Sequence, residues 1–171
     1  MKGQFLRRVV AFIILVAFCI IFTGHNRHLK RCGDVVIRSG SSCDREAAFL
    51  TRLREKVKII LDHPSINPNI RGRILSRWDG TIHELDDQSN APAVSTGKRE
   101  VRLCLKGSPT EDAALFVILH EMAHIGCIST GHTDEFWDCM RSLLSAARSA
   151  GVYTDHDASS KVCGTSIGNL P

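Results

Sequence analysis

The first apolar pattern in the chain is an unbroken run from Val9 to Phe22, with Lys2, Arg7 and Arg8 before it and basic residues after it. At 1.5 Å per residue the run spans roughly 21 Å, short of a bilayer core of about 30 Å unless Phe5 and Leu6 extend it and Arg7 and Arg8 snorkel. It predicts an uncleaved signal anchor or transmembrane helix over residues 1–24, and hence a single-pass membrane protein. The alternatives are secretion after signal cleavage, to which Ile21, Phe22 and Thr23 are a poor match, and burial of the run as a core helix. Residues 25–43 are polar and read as a linker.

Beyond the linker the apolar positions become periodic. Leu50, Leu53, Val57, Ile60 and Leu61 recur at helical spacing from Asp44 until "DHPSINPN" ends the helix. In "RGRILSRWDGTIHEL" the Asp79–Gly80 turn signal predicts a hairpin or a strand and loop, and "DDQSNAPAVSTGK" reads as a loop. Val101, Leu103 and Leu105 alternate with polar or small residues, which predicts a strand with one buried face. In "SPTEDAALFVILHEMAHIG" Ser108 can cap a helix, Pro109 fits its first position and Glu111 completes a capping box. That helix should run from Pro109 to Ile125, ended by Gly126. A second helix, capped by Thr133, starts near Asp134, buries Phe136, Met140, Leu143, Leu144 and Ala147, and stops at Gly151. The tail reads as irregular. These elements predict one α+β domain over residues 44–171, with a small sheet, a long apolar helix and a helix that follows it.

Composition adds little to this picture. At 43% hydrophobic and 23% charged residues, the chain is neither a disordered segment nor a coiled coil. The net charge of +4 is mild and the Lys and Arg residues are scattered, which disfavours nucleic-acid binding. Seven cysteines occur, and Cys19 lies in the apolar leader. The other six (Cys32, Cys43, Cys104, Cys127, Cys139 and Cys163) permit three disulfides in an oxidising compartment or remain as buried thiols. The best local pair is Cys32 with Cys43, and no CxxC pair suggests a zinc ribbon.

The chemistry concentrates in "LFVILHEMAHIGCISTGHTDEFW", residues 115–137. His120 and His124 lie four apart on the long helix, so both imidazoles share one face and can grip one tetrahedral zinc ion. Glu121 is rotated by about 100° from His120. It falls outside the ligand set but within reach of an activated water, as a general base must be. This HExxH spacing is the zincin signature. A catalytic zinc needs a third protein ligand and an open position. His132, after the small-residue loop "GCISTG", is the best choice; Asp134 and Glu135 are alternatives better explained as helix N-terminal charges, and Cys127 is a weaker soft ligand. The metzincin pattern does not fit, because Cys127 and Thr130 stand where its glycine and third histidine should be. Tyr153 could donate to a developing oxyanion, with His156 as an alternative. His25, His28, His63 and His83 read as surface residues.

The stretch "ALFVILHEMAHIGCISTGHTDEFW" resembles the WLM and SprT-like metallopeptidases, and "GHTDEFW" is its most specific part. "VRLCLKG" and the terminal "VCGTSIGNLP" suggest a compact viral or protist version of that group. The resemblance covers residues 68–171 and is strongest over 101–140. It implies a minimal zincin-like fold and a zinc peptidase with metal on His120, His124 and His132 and Glu121 as base. Phe136 and Trp137 would pack the following helix against the site. The expected substrate is a protein or peptide, bound extended along an edge strand such as 101–105. The alternative function is a non-catalytic zinc-stabilised module at a membrane, its fourth coordination position closed by a protein donor.

Overall fold

The computed structural model describes residues 29–86, 91–157 and 159–168. The predicted anchor, residues 1–24, lies outside the described residues. Among those residues no helix is long and apolar enough to cross a membrane.

The fold is α+β, as the apolar periodicities predict. It runs β1 (Leu29–Cys32), β2 (Val35–Arg38), a π-helical turn (Cys43–Ala47), α1 (Ala48–Asp62), α2 (Pro68–Arg77), β3 (Ile82–Glu84), β4 (Ala93–Thr96), β5 (Glu100–Leu103), α3 (Glu111–Gly126), α4 (Asp134–Ser149), β6 (Lys161–Val162) and β7 (Thr165–Ser166). The central sheet has the order β3-β5-β4, with β3 parallel and β4 antiparallel to β5. α3 is the hub: α2, α4 and the β4–β5 ribbon all pack against it. Every residue from Ala113 to Leu119 is buried, as are Met122, Ala123 and Ile125. A helix that is apolar all round has to be a core helix.

Several expectations need correction. The stretch read as a linker is a hairpin from Leu29, with Val35 and Ile37 buried against the core. The Cys32–Cys43 disulfide ties it to the start of α1. It is further fixed by Glu84, fully buried on β3. Its carboxylate accepts from Arg38 N–H at 2.9 Å, from Arg38 Nε at 2.5 Å and from Ser41 Oγ at 3.1 Å. A buried charge with this many donors is tolerated where a bare one would not be. Residues 68–77 form a helix rather than part of a hairpin: Asn67 Oδ1 caps it, Pro68 opens it, and Ile70 and Ile74 form its buried stripe.

β4 arises from the segment read as a loop. The turn Gly97–Lys98 takes φ of 59° and 57°, the left-handed pair that a tight hairpin needs, and it folds β4 onto β5. β5 is therefore the middle strand, with β3 and β4 at the two ends of the sheet. The long helix starts at Glu111 and is capped by Thr110, whose Oγ1 accepts from Ala113 N–H at 3.3 Å. Ser108, the expected cap, sits at φ 51°, in the turn before it. Gly126 ends the helix for reasons of space rather than of handedness: a Cβ there would lie 3.0 Å from Ile70 Cγ2 and 3.2 Å from Ile74 Cγ1. The tail contains the short β6–β7 hairpin, joined to the end of β5 by the Cys104–Cys163 disulfide.

Candidate metal centre

α3 presents His120 and His124 one turn apart on one face. The chain then leaves the helix at Cys127 and must reverse to bring His132 back. Two sets of contacts enforce the reversal. On one side, Glu135 in the first turn of α4 accepts from the N–H groups of Ile128 and Ser129, at 3.0 Å each. Those donors, Ile128 first, hold its carboxyl at about 2. Ser129 Oγ and Thr133 Oγ1 share a further bond of 2.7 Å, and Gly131 takes the left-handed turn at φ 79°. On the other side, three cations meet the open carbonyls at the end of α3. Arg77 Nη1 donates to Ile125 O at 2.8 Å and to Cys127 O at 3.0 Å, Arg73 Nε to Gly126 O, and Lys98 Nζ to Cys127 O at 3.1 Å. Positive groups at a helix C-terminus satisfy its carbonyls and its dipole together.

The result is a triangle of imidazoles. Ring centroids of His120, His124 and His132 are separated by 4.9, 4.9 and 5.0 Å. One nitrogen from each falls within 4.8 Å of the others, so the triad can hold a metal ion. His120 Nε2 and His132 Nε2 lie 3.0 Å apart. Tetrahedral zinc with bonds of about 2.0–2.1 Å needs donor nitrogens about 3.3 Å apart, so small side-chain shifts suffice. Phe136 underlies the triangle, its ring 4.8, 4.4 and 4.6 Å from the three imidazoles, and Trp137 stacks on His132 at 5.7 Å.

Burial, then the neighbouring rings of His124 and His132, push the His120 imidazole down to about 4. Burial, then His132 and Lys98, lower His124 as well. Both rings are thus neutral at neutral pH and keep a lone pair free for a metal. Glu121 points off the triangle toward β4. Burial raises its carboxyl, while the Ser95 side chain and N–H donate to it and pull the other way. A carboxyl so balanced can both take and return a proton.

An open cleft of about 390 Å³ runs from His120 and Glu121 along α3 toward its N-terminus. It is lined by Phe116 and Val117 of α3, Pro92 and Ala93 at the start of β4, Trp137 of α4, and Thr165 to Gly168 of β7 and the residues after it.

The structure brings together four of the predicted site residues, Glu121, His120, His124 and His132. It does not bring Tyr153 to them. That ring is buried, its hydroxyl is bonded to His156 Nδ1 at 2.9 Å, and neither residue lines the cleft. Cys127 turns inward, with its thiol on Glu135 O at 3.5 Å and on the Cys139 thiol. Asp134 is an exposed first-turn residue of α4. Among the described residues the triad has no fourth protein donor. His83 is half-buried rather than a surface residue, its Nδ1 accepting from Val36 N–H at 3.0 Å. Sequence reasoning missed Ser95 and the hairpin wall. Ser95 carries no motif, and the wall lies in the tail read as irregular, where Cys163 had no assigned partner.

The chain is 28% identical over 116 residues to uncharacterized protein 136R of Invertebrate iridescent virus 6, covering 63% of this chain and 65% of that protein. It is 28% identical over 141 residues to uncharacterized protein R325 of Acanthamoeba polyphaga mimivirus, 71% of each chain. A shorter stretch of 61 residues, 33% of this chain, is 34% identical to uncharacterized protein 042R of Invertebrate iridescent virus 3, covering 38% of that protein. The chain thus spans just under two thirds of the first of these relatives. No family of known proteins matches the chain, and no solved structure does.

Proposed function

We propose that this chain is a zinc-dependent endopeptidase of the zincin type, similar to the WLM and SprT-like enzymes. The observation that carries the reading is a set of three converging imidazoles beside a buried carboxyl, open on one side to a cleft. His120, His124 and His132 would hold zinc, which supplies Lewis acidity and an acidified water. An all-imidazole set suits zinc better than magnesium or calcium, which prefer oxygen.

The residues around the site have separable roles in this reading. Glu121 takes the proton of the attacking water and returns it to the leaving amine. Ser95 orients that carboxyl, and Phe136 keeps the lower face of the triad dry. A protein or peptide substrate would lie extended along β4. β5, the strand expected for this role from sequence, has both edges filled by β3 and β4. The apolar leader would tether the domain to a membrane. The lack of a fourth protein donor among the described residues favours catalysis over a purely structural zinc site.

The test is zinc content together with chelator-reversible hydrolysis of an unfolded protein substrate. The wild type should bind one zinc and cleave. Glu121→Gln should keep the zinc and lose at least about 100-fold in rate. Zinc-loaded Glu121→Gln cleaving at the wild-type rate would rule out this mechanism.

A further inference from the structure

We propose that the β6–β7 hairpin is the specificity-determining wall of the cleft. The substrate class it selects is an extended peptide carrying a large apolar side chain beside the reacting bond. The proposal rests on the peptidase reading for the word "reacting"; the selectivity itself is a matter of binding.

The chemistry of the walls carries it. Phe116 lies four residues before His120 and Val117 four before Glu121, so both sit one helical turn from the reactive groups on the same side of α3. Ala93 of β4 and Ile167 next to β7 line the same cleft. Among the described residues, the only ionisable side chains lining the cleft are His120 and Glu121. A charged substrate side chain of either sign would be desolvated among these apolar groups. An apolar side chain gains by burial there.

The direction of the chain follows from the sheet. Among the described residues β4 pairs only with β5, so its outer edge can take an added strand. Ala93 and Ser95 lie on the same face of β4, toward α3. A strand laid there sends alternate side chains toward the cleft.

The hairpin is a built wall rather than a loose tail. Cys163 is bonded to Cys104 at the end of β5. Ile167 N–H donates to Ser160 O at 3.2 Å. His156 Nε2 lies 2.8 Å from Ile167 O. A carbonyl only accepts, so that nitrogen carries the proton, and Nδ1 accepts in turn from the Tyr153 hydroxyl. Tyr153 and His156 are therefore positioning residues for the wall. This gives a use to two buried polar groups that the reaction itself leaves idle.

The experiment uses full-length zinc-loaded Glu121→Gln protein carrying Trp78→Phe, so that Trp137 in the cleft is the only indole. Four peptides identical except for a central Leu, Phe, Asp or Lys are titrated by fluorescence. Leu and Phe should bind about tenfold or more tighter than Asp and Lys. Ile167→Asp should erase that preference, and so should Ser166→Asp, which replaces an exposed residue and leaves the fold intact. Tyr153→Phe should weaken it while zinc stoichiometry stays unchanged. Equal affinity for all four peptides, no binding by any, or an unaltered preference in both wall variants would overturn the proposal. If the preference holds but wild-type protein never cleaves the Leu peptide, the peptidase reading fails and the selective cleft stands.

Discussion

At His120, burial and two neighbouring imidazoles hold the ring at about 4, against about 6.5 in an unfolded chain. The unfolded state therefore binds a proton that the metal-free folded state refuses. This contribution to stability is full above about pH 6.5 and is lost as pH falls from there toward about 4. Urea midpoints of the metal-free protein at pH 7 and pH 5 should show the loss, and His120→Gln should make it smaller; an equal loss in the variant would contradict the assignment. The Cys127 thiol behaves in the opposite sense. Burial, with Cys139 next to it, pushes it well above the ordinary thiol range, so it stays protonated and inert. Alkylation should leave Cys127 and Cys139 untouched in the folded protein and modify both once it is denatured. Rapid reaction in native buffer would show that this corner of the core opens.

Among the elements, α3 and α4 were legible because their signals are local and redundant. α4 has a regular apolar stripe and the Thr133 cap, and α3 is a long run that is apolar nearly all round, although its cap is Thr110 and not the expected Ser108. The histidine spacing fell on the one helix that could use it, and His132 could be placed because only a short loop separates the two helices. β4 and α2 were not legible. β4 is four residues long with two apolar side chains, and it exists because β5 pairs with it and α3 packs on it. α2 has only Ile70 and Ile74 to show for a buried face, and its remaining apolar side chain, Leu75, is exposed among polar and Arg residues. The β1–β2 hairpin escaped notice for the same reason: Val35 and Ile37 are core residues only because the sheet and a disulfide receive them. Gly126 shows how a correct boundary can rest on the wrong physics. Gly126→Ala gains up to about 1 kcal/mol of helix propensity but forces Ile70 and Ile74 to move. Overpacking costs about 1–3 kcal/mol, so the variant should be less stable by chemical denaturation and should weaken zinc affinity by displacing the loop to His132. A more stable variant would refute the close-approach explanation.

Across the whole molecule, two disulfides reach beyond what periodicity can tell. Cys32–Cys43 closes a sequence separation of 11 and Cys104–Cys163 one of 59. In the chain-entropy account these contribute about 3 and about 4 kcal/mol. Replacing Cys104 and Cys163 with Ser should lower the melting temperature markedly and reduce peptide selectivity, while the zinc stoichiometry is kept. Loss of zinc in that variant would mean that the hairpin supports the triad and not only the cleft.

Zinc itself should stabilise the fold by about 2.7 kcal/mol at a free concentration 100 times its Kd. The most direct check of the central claim is native mass spectrometry of the purified chain after zinc loading and removal of excess metal. One zinc per wild-type chain is expected, kept by Glu121→Gln and lost by His132→Ala. A metal-free wild type, or full retention of zinc by His132→Ala, would contradict the account.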